Sequence, residues 1–251
     1  MRNQKEKDKV ALDNQKTQPP KKKKRRTLRN SIIILGVFLG VLLIGGNFII
    51  PFYYNHFPTK ITKVKGTPIF EDRPPRKATM QNIIEAQSDP KPPAAGYFVI
   101  PSIAIHLPIY SGIGYNTMLY GVGEQYPETT IKAGDVGNYV VASHLDFWTD
   151  YLFGKLPSID IGAKVYVSDS TKVYEYTVYS KIAVSPTEAA NYIYDTTGKK
   201  ENQRLITMYT CTDMDSDGRW IVRGRVTNEW SLLSAPKEVK SDFDTWINAP
   251  Y

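Results

Sequence analysis

An unbroken apolar run without charge occupies residues 32–54 (IIILGVFLGVLLIGGNFIIPFYY). About 20 such residues are enough for a helix to cross the hydrocarbon core of a bilayer, so residues 31–54 are predicted to be a transmembrane anchor. A cleaved signal peptide has a shorter apolar region ending in small residues; here Ile49, Ile50, Phe52, Tyr53 and Tyr54 fill that place. From residue 55 to 95 the pattern lapses. Pro58, Pro68, Pro74, Pro75, Pro90, Pro92 and Pro93 are spread among charges, the composition of a semi-extended spacer. Only residues 80–86 have helical character there.

From Gly96 the period becomes that of strands. Tyr97, Phe98, Val99 and Ile100 make a short run closed by Pro101. Ile103, Ile105, Leu107 and Ile109 alternate with Ala104, His106, Pro108 and Tyr110, as on a half-buried strand. Gly112, Gly114, Gly121 and Gly123 punctuate the next stretch, which reads as a loop. Residues 138–143 form another apolar strand, and Phe153 to Leu156 a short helical turn. Residues 164–168 and 172–184 are predicted to pair as a hairpin across Asp169, Ser170 and Thr171. Residues 205–210 and 220–226 complete the set. Seven or eight short strands with no room between most of them for a crossover helix predict a closed all-β barrel rather than a parallel α/β sheet.

Charge sharpens the anchor and removes a rival. The formal charge is +7, yet residues 1–30 alone hold twelve Lys or Arg against three acids. The other 221 residues therefore sum to −2, and the basicity belongs to a tail rather than to a nucleic-acid-binding surface. The cluster Lys21, Lys22, Lys23, Lys24, Arg25 and Arg26 just before the apolar run places residues 1–30 in the cytoplasm and everything after Tyr54 outside.

Outside the cell the single cysteine, Cys211, cannot form an internal disulfide. It closes the strand ending Tyr209-Thr210 and precedes a polar loop that returns at Arg219, so a hairpin brings Arg219 back beside Cys211. Arg223 and Arg225 are rival cations on the same face of that strand. His144 follows the apolar run Val140-Val141-Ala142, at a strand end of the kind where catalytic groups are held rigidly. His56 and His106 lack such a setting and read as surface residues.

Three segments in this order resemble the sortase family, most closely its class A. Thr207-Met208-Tyr209-Thr210-Cys211 is similar to the T-L-x-T-C signature, with Met208 in place of Leu, a volume-conserving change. Arg219-Trp220-Ile221-Val222-Arg223-Gly224 resembles the R-x-I-V-x-G strand, and Ala142-Ser143-His144 the catalytic-histidine segment. The resemblance runs over residues 96–251 and implies an eight-stranded sortase-type β-barrel with short helices as the catalytic domain. It implies cleavage of an L-P-x-T-G sorting signal after Thr and transfer to the amino group of a peptidoglycan precursor, without a cofactor. Cys211 is then the nucleophile, His144 the acid and base, and Arg219 the support of the oxyanion, with the N–H of Thr212. Val184-Ser185-Pro186-Thr187 resembles a V-x-P-T segment opening the loop that grips the signal; Val184, Pro186, Ala142, Thr210 and Thr212 are the expected substrate contacts. Some class A members bind calcium near this groove. Glu124, Glu128 and Asp195 are the acids in range, but scattered acids are usually solvated and no metal is assigned.

A papain-type protease has its cysteine before its histidine, the reverse of this chain. The L,D-transpeptidase signature S-H-G-C fails at Leu145. A pilin-polymerising sortase and an anchored, non-catalytic β-barrel adhesin are the remaining alternatives.

Overall fold

The structure is a computed structural model that describes residues 31–37, 40, 69–71, 73–125, 131–146, 151–169, 171–213 and 217–247. The chain divides into two compact units, residues 1–49 and 50–251. In the first, residues 31–37 and 40 are helical. Among the described residues no helix is long and apolar enough to cross a membrane, and most of the anchor expected at 31–54 lies outside them, as does His56.

The second unit is built on eight strands: β1 (Gly96–Ile100), β2 (Ile105–Ser111), β3 (Val122–Glu124), β4 (Gly137–Ala142), β5 (Lys164–Ser168), β6 (Lys172–Val184), β7 (Arg204–Cys211) and β8 (Arg219–Ser231). They close into a barrel in the order β1-β2-β3-β4-β7-β8-β6-β5. The side chains that alternate inward, among them Phe98, Leu107, Val141, Val167, Tyr176, Ile206, Met208 and Val222, make one buried core together with Phe153. The β5–β6 hairpin forms as expected. The Asp169 carboxylate accepts from the N–H groups of Thr171 (2.9 Å) and Lys172 (2.8 Å), which turns the chain.

Two features depart from the sequence reading. The glycine-punctuated loop contains β3, three residues long, which pairs parallel with β2. More consequentially, β4 pairs parallel with β7 over six residues, from Gly137↔Arg204 to Ala142↔Tyr209. The connection that permits this is residues 143–203, which carry β5, β6 and two helices, α3 (Pro186–Ile193) and α4 (Thr197–Lys200). The barrel is therefore a mixed sheet.

Part of the stretch read as a spacer is tied to the barrel: the N–H of Glu71 donates to the Ser111 carbonyl and that of Arg76 to the Tyr115 carbonyl. Helix α1 (Met80–Ser88) covers the residues with helical character and is capped by Thr79, whose hydroxyl accepts from the N–H of Asn82 at 3.2 Å. Its Ile83 and Ala86 pack on Tyr110, Leu119 and Tyr120, the last two from the short helix α2 (Thr117–Tyr120). At the far end α5 (Lys237–Ile247) lays Val239 and Phe243 on Tyr97 and Val99 of β1. The prolines around α1 hide its docking onto the barrel, and the charged face of α5 hides that helix.

Candidate active site

Parallel strands end on the same rim, so β4 and β7 deliver their C-terminal residues side by side. The N–H of Ser143 donates to the carbonyl of Tyr209 (3.4 Å), and His144 comes next in the chain. Ser143 is tied down further by its hydroxyl, which donates to the Gly121 carbonyl at 2.7 Å. The His144 carbonyl accepts from the N–H of Phe153 (3.0 Å), which pins the backbone of the histidine against the core.

On the other side of β7, antiparallel pairing with β8 sets Cys211 directly opposite Arg219, and β6 sets Val184 opposite Arg219 in turn. Cys211 and Arg219 are both half-buried. Arg219 donates to the carbonyl of Gly218 at 2.8 Å. The expected trio of Cys211, Arg219 and His144 is thus gathered at the C-terminal rim of β4 and β7.

His144 is half-buried as a residue, but its Nε2 is fully buried and has no hydrogen-bond partner among the described residues. Burial pushes the imidazole down to about 4, opposed by the backbone of Arg76 and by the charge of Asp146. At neutral pH the ring is uncharged and able to take a proton.

The three arginines have separated. Arg223 is committed to Asp195, at 2.5 Å with both side chains 14% exposed, and lies over the rings of Tyr179 and Tyr192. Arg225 is exposed and reaches Gln203 and the Tyr179 ring. Arg219 alone of the three stands opposite the thiol.

The residues expected to touch substrate are placed unevenly. Ala142 is buried (1% exposed) and pairs with Tyr209, two residues before Cys211. Pro186 is exposed as the first residue of α3, after a capping box in which Ser185 and Glu188 satisfy each other's backbone N–H groups. Helix α3 is tied to β4 by Asn138, whose side-chain amide donates to the Tyr192 carbonyl (2.9 Å) and whose oxygen accepts from Thr207 (2.7 Å). Two expectations change. Thr210 alternates away from Cys211, and its buried hydroxyl (2% residue exposure) has no partner among the described residues. The N–H of Thr212 is engaged by the Gly218 carbonyl at 3.1 Å, so it is not a free oxyanion donor in this state.

Tyr209 escapes the motif reading. It lies two residues before Cys211 on the same face of β7, and its hydroxyl donates to the side chain of Gln125. Strand alternation is the signal that points to it. Glu124 is paired with Lys132 (3.7 Å) and accepts from Tyr139 (3.0 Å); Asp195 is taken by Arg223, and Glu128 lies outside the described residues. Among the described residues no three His, Cys, Asp or Glu side chains are gathered to hold a metal.

This arrangement has relatives. The family model described as "Sortase domain" matches residues 98–227. Sortase A of Streptococcus agalactiae is 28% identical over 235 residues, 86% of this chain and 92% of that protein. Sortase A of Listeria monocytogenes is 27% identical over 200 residues, covering 73% and 84% of the two chains. The solved structure of Listeria monocytogenes sortase A aligns with a TM-score of 0.52 at 24% identity, over 62% of this chain and 98% of that one. A closed barrel that brings a cysteine, a histidine and an arginine to one rim has the residue types of a thiol-based catalyst. The chain belongs to the sortase family of transpeptidases.

Proposed function

We propose that the protein is a class A-type sortase, a membrane-anchored cysteine transpeptidase that cleaves an L-P-x-T-G signal between Thr and Gly. It then passes the surface protein to the amino group of a peptidoglycan precursor. The observation that carries this reading is the register Cys211↔Arg219, with His144 on the adjoining strand end of the same rim.

The chemistry grows out of those three groups. Neutral His144 accepts the proton of the Cys211 thiol as the sulfur attacks the Thr carbonyl carbon. The oxygen takes up negative charge, which the Arg219 guanidinium stabilises. The imidazolium returns its proton to the Gly nitrogen as the amide C–N bond breaks, leaving a thioester on Cys211. The precursor's amine attacks that thioester, gives its proton to His144, and releases the thiolate, which regains a proton. Val184, which stands opposite Arg219, Ala142, two residues before His144, and Pro186 at the start of α3 are assigned as signal contacts. Membrane anchoring rests on the 32–54 apolar run behind its basic cluster.

The deciding experiment is Cys211→Ala against a fluorogenic L-P-x-T-G peptide. Cleavage and the covalent peptide adduct seen by mass spectrometry with the parent should both vanish, with circular dichroism unchanged. Turnover by the variant at the parent's rate would rule the mechanism out.

A further inference from the structure

Strand alternation builds the outer face of the barrel beside the thiol. Tyr139 and Val141 of β4, Met208 of β7 and Val222 of β8 belong to the core, so Asn138, Ala142, Tyr209, Cys211 and Arg219 lie on the opposite face. The chain leaves β6 at Val184, level with Arg219. Helix α3 then ends against Asn138, whose amide donates to the Tyr192 carbonyl at 2.9 Å. Strand order puts β8 and β7 between β6 and β4, so α3 crosses both on this outer face. Tyr209 and Cys211 are left in a recess walled by α3 and open at the rim. Its far end is closed where Asn138 also accepts from the Thr207 hydroxyl at 2.7 Å.

Tyr209 is the floor of that recess. It pairs with Ala142 on one side and Ile221 on the other. Both neighbours are buried, while the tyrosine is half-buried. Its hydroxyl bonds to the side chain of Gln125, the residue that follows β3. The N–H of Gln125 donates in turn to the Val140 carbonyl at 2.9 Å. A side chain rooted on β7 that reaches the end of β3 passes over β4, the strand between them. The ring is thus laid across β4 and held at both ends.

Spacing then selects what meets the ring. Residues advance about 3.3 Å along a strand, so Tyr209 lies roughly 6.6 Å from Cys211. A peptide lying extended along β7, its earlier residues in the recess, sets over the ring the residue two positions before the carbonyl under attack. In L-P-x-T that residue is the proline. Proline-containing segments dock on aromatic faces. A proline also brings no N–H to be stranded above a ring that offers no strong acceptor.

We propose that Tyr209 is a specificity-determining residue for the sorting signal, its ring being the platform on which the signal's proline packs and Gln125 the tether that keeps the ring in place. The inference rests on the transpeptidase reading and assigns one position of that substrate to one side chain.

The test uses the full chain in mild detergent and two fluorogenic peptides, L-P-x-T-G and L-A-x-T-G, with the same residue at x. The parent should favour the proline peptide in kcat/KM. Tyr209→Val should lower that preference by about tenfold, the scale of one lost apolar contact. Tyr209→Phe, which keeps the ring face, should retain most of it, and Gln125→Ala should lower it in the same sense as Tyr209→Val. A preference unchanged in Tyr209→Val, or lost as fully in Tyr209→Phe, would overturn the proposal. Where Tyr209→Val fails to fold by circular dichroism, Gln125→Ala decides in the same way. A parent that cuts both peptides alike overturns the platform and leaves the transpeptidase reading standing, whereas a parent that cuts neither overturns both.

Discussion

Arg219 and Arg223 lie on one face of one strand, yet the structure gives them different partners. Arg223 is locked by Asp195 and by two tyrosine rings, whereas Arg219 stands opposite the nucleophile. A lysine cannot reproduce the planar fork of an arginine. Arg219→Lys should therefore lower kcat/KM by about 100- to 1000-fold, as removal of an oxyanion donor does. Arg223→Lys should mainly lower thermal stability, and Arg225→Lys should change neither. Equal losses of kcat/KM at all three positions would reduce Arg219 to a general electrostatic influence. His144 carries a second expectation. Burial holds its folded value at about 4 against 6.5 for an unburied ring, so the unfolded chain takes up the proton first as pH falls. Its contribution to stability is complete above pH 6.5 and is lost on the way down to 4, amounting to about 2 kcal/mol by roughly pH 5. The drop in urea-derived unfolding free energy between about pH 7.5 and pH 5, on either side of that loss, should be smaller by that amount in His144→Gln than in the parent. A parallel decline in both proteins would show that other groups control the acid limb.

Among the elements, α3 opens with the segment assigned to grip the proposed signal. It is eight residues long and begins with a reciprocal cap between Ser185 and Glu188. Ser185→Ala removes an interaction worth about 1 kcal/mol, so amides of the first turn should exchange roughly fivefold faster. KM for a sorting peptide should rise while kcat holds; an unchanged KM would separate α3 from the binding groove. Strands with strong alternation or a clear turn were legible in the sequence: β1, β4, β7, and the β5–β6 hairpin that Asp169 closes. Others were not. β3 has three residues between glycines, too few to show a period. The tail of β8 carries Asn228 and Glu229, whose polarity hides a strand that runs on to Ser231. Pairing β4 with β7 joins residues far apart in the chain, and nothing local encodes such a partner. The places of the candidate site residues were easier to read than the pairing of the strands, because Cys211 and Arg219 close and open strands and His144 stands just beyond one.

For the whole molecule the basic tail and the apolar run predict one orientation. Protease added outside intact protoplasts should degrade the barrel and spare a fragment carrying residues 1–30; protection of the barrel would reverse the assigned topology. The parallel β4–β7 contact also bears on how the molecule is made. Its closure must wait for residues 143–203 to be synthesised and for β5 and β6 to form. Non-local pairing of this kind slows folding, because a long loop loses its freedom before any contact rewards it. Cys211 and His144 are consequently held apart in a chain whose β4–β7 seam has not closed. On the proposed function, a chain whose β4–β7 seam is still open holds Cys211 away from His144, and the thiol gains its base only when that last seam of the barrel shuts.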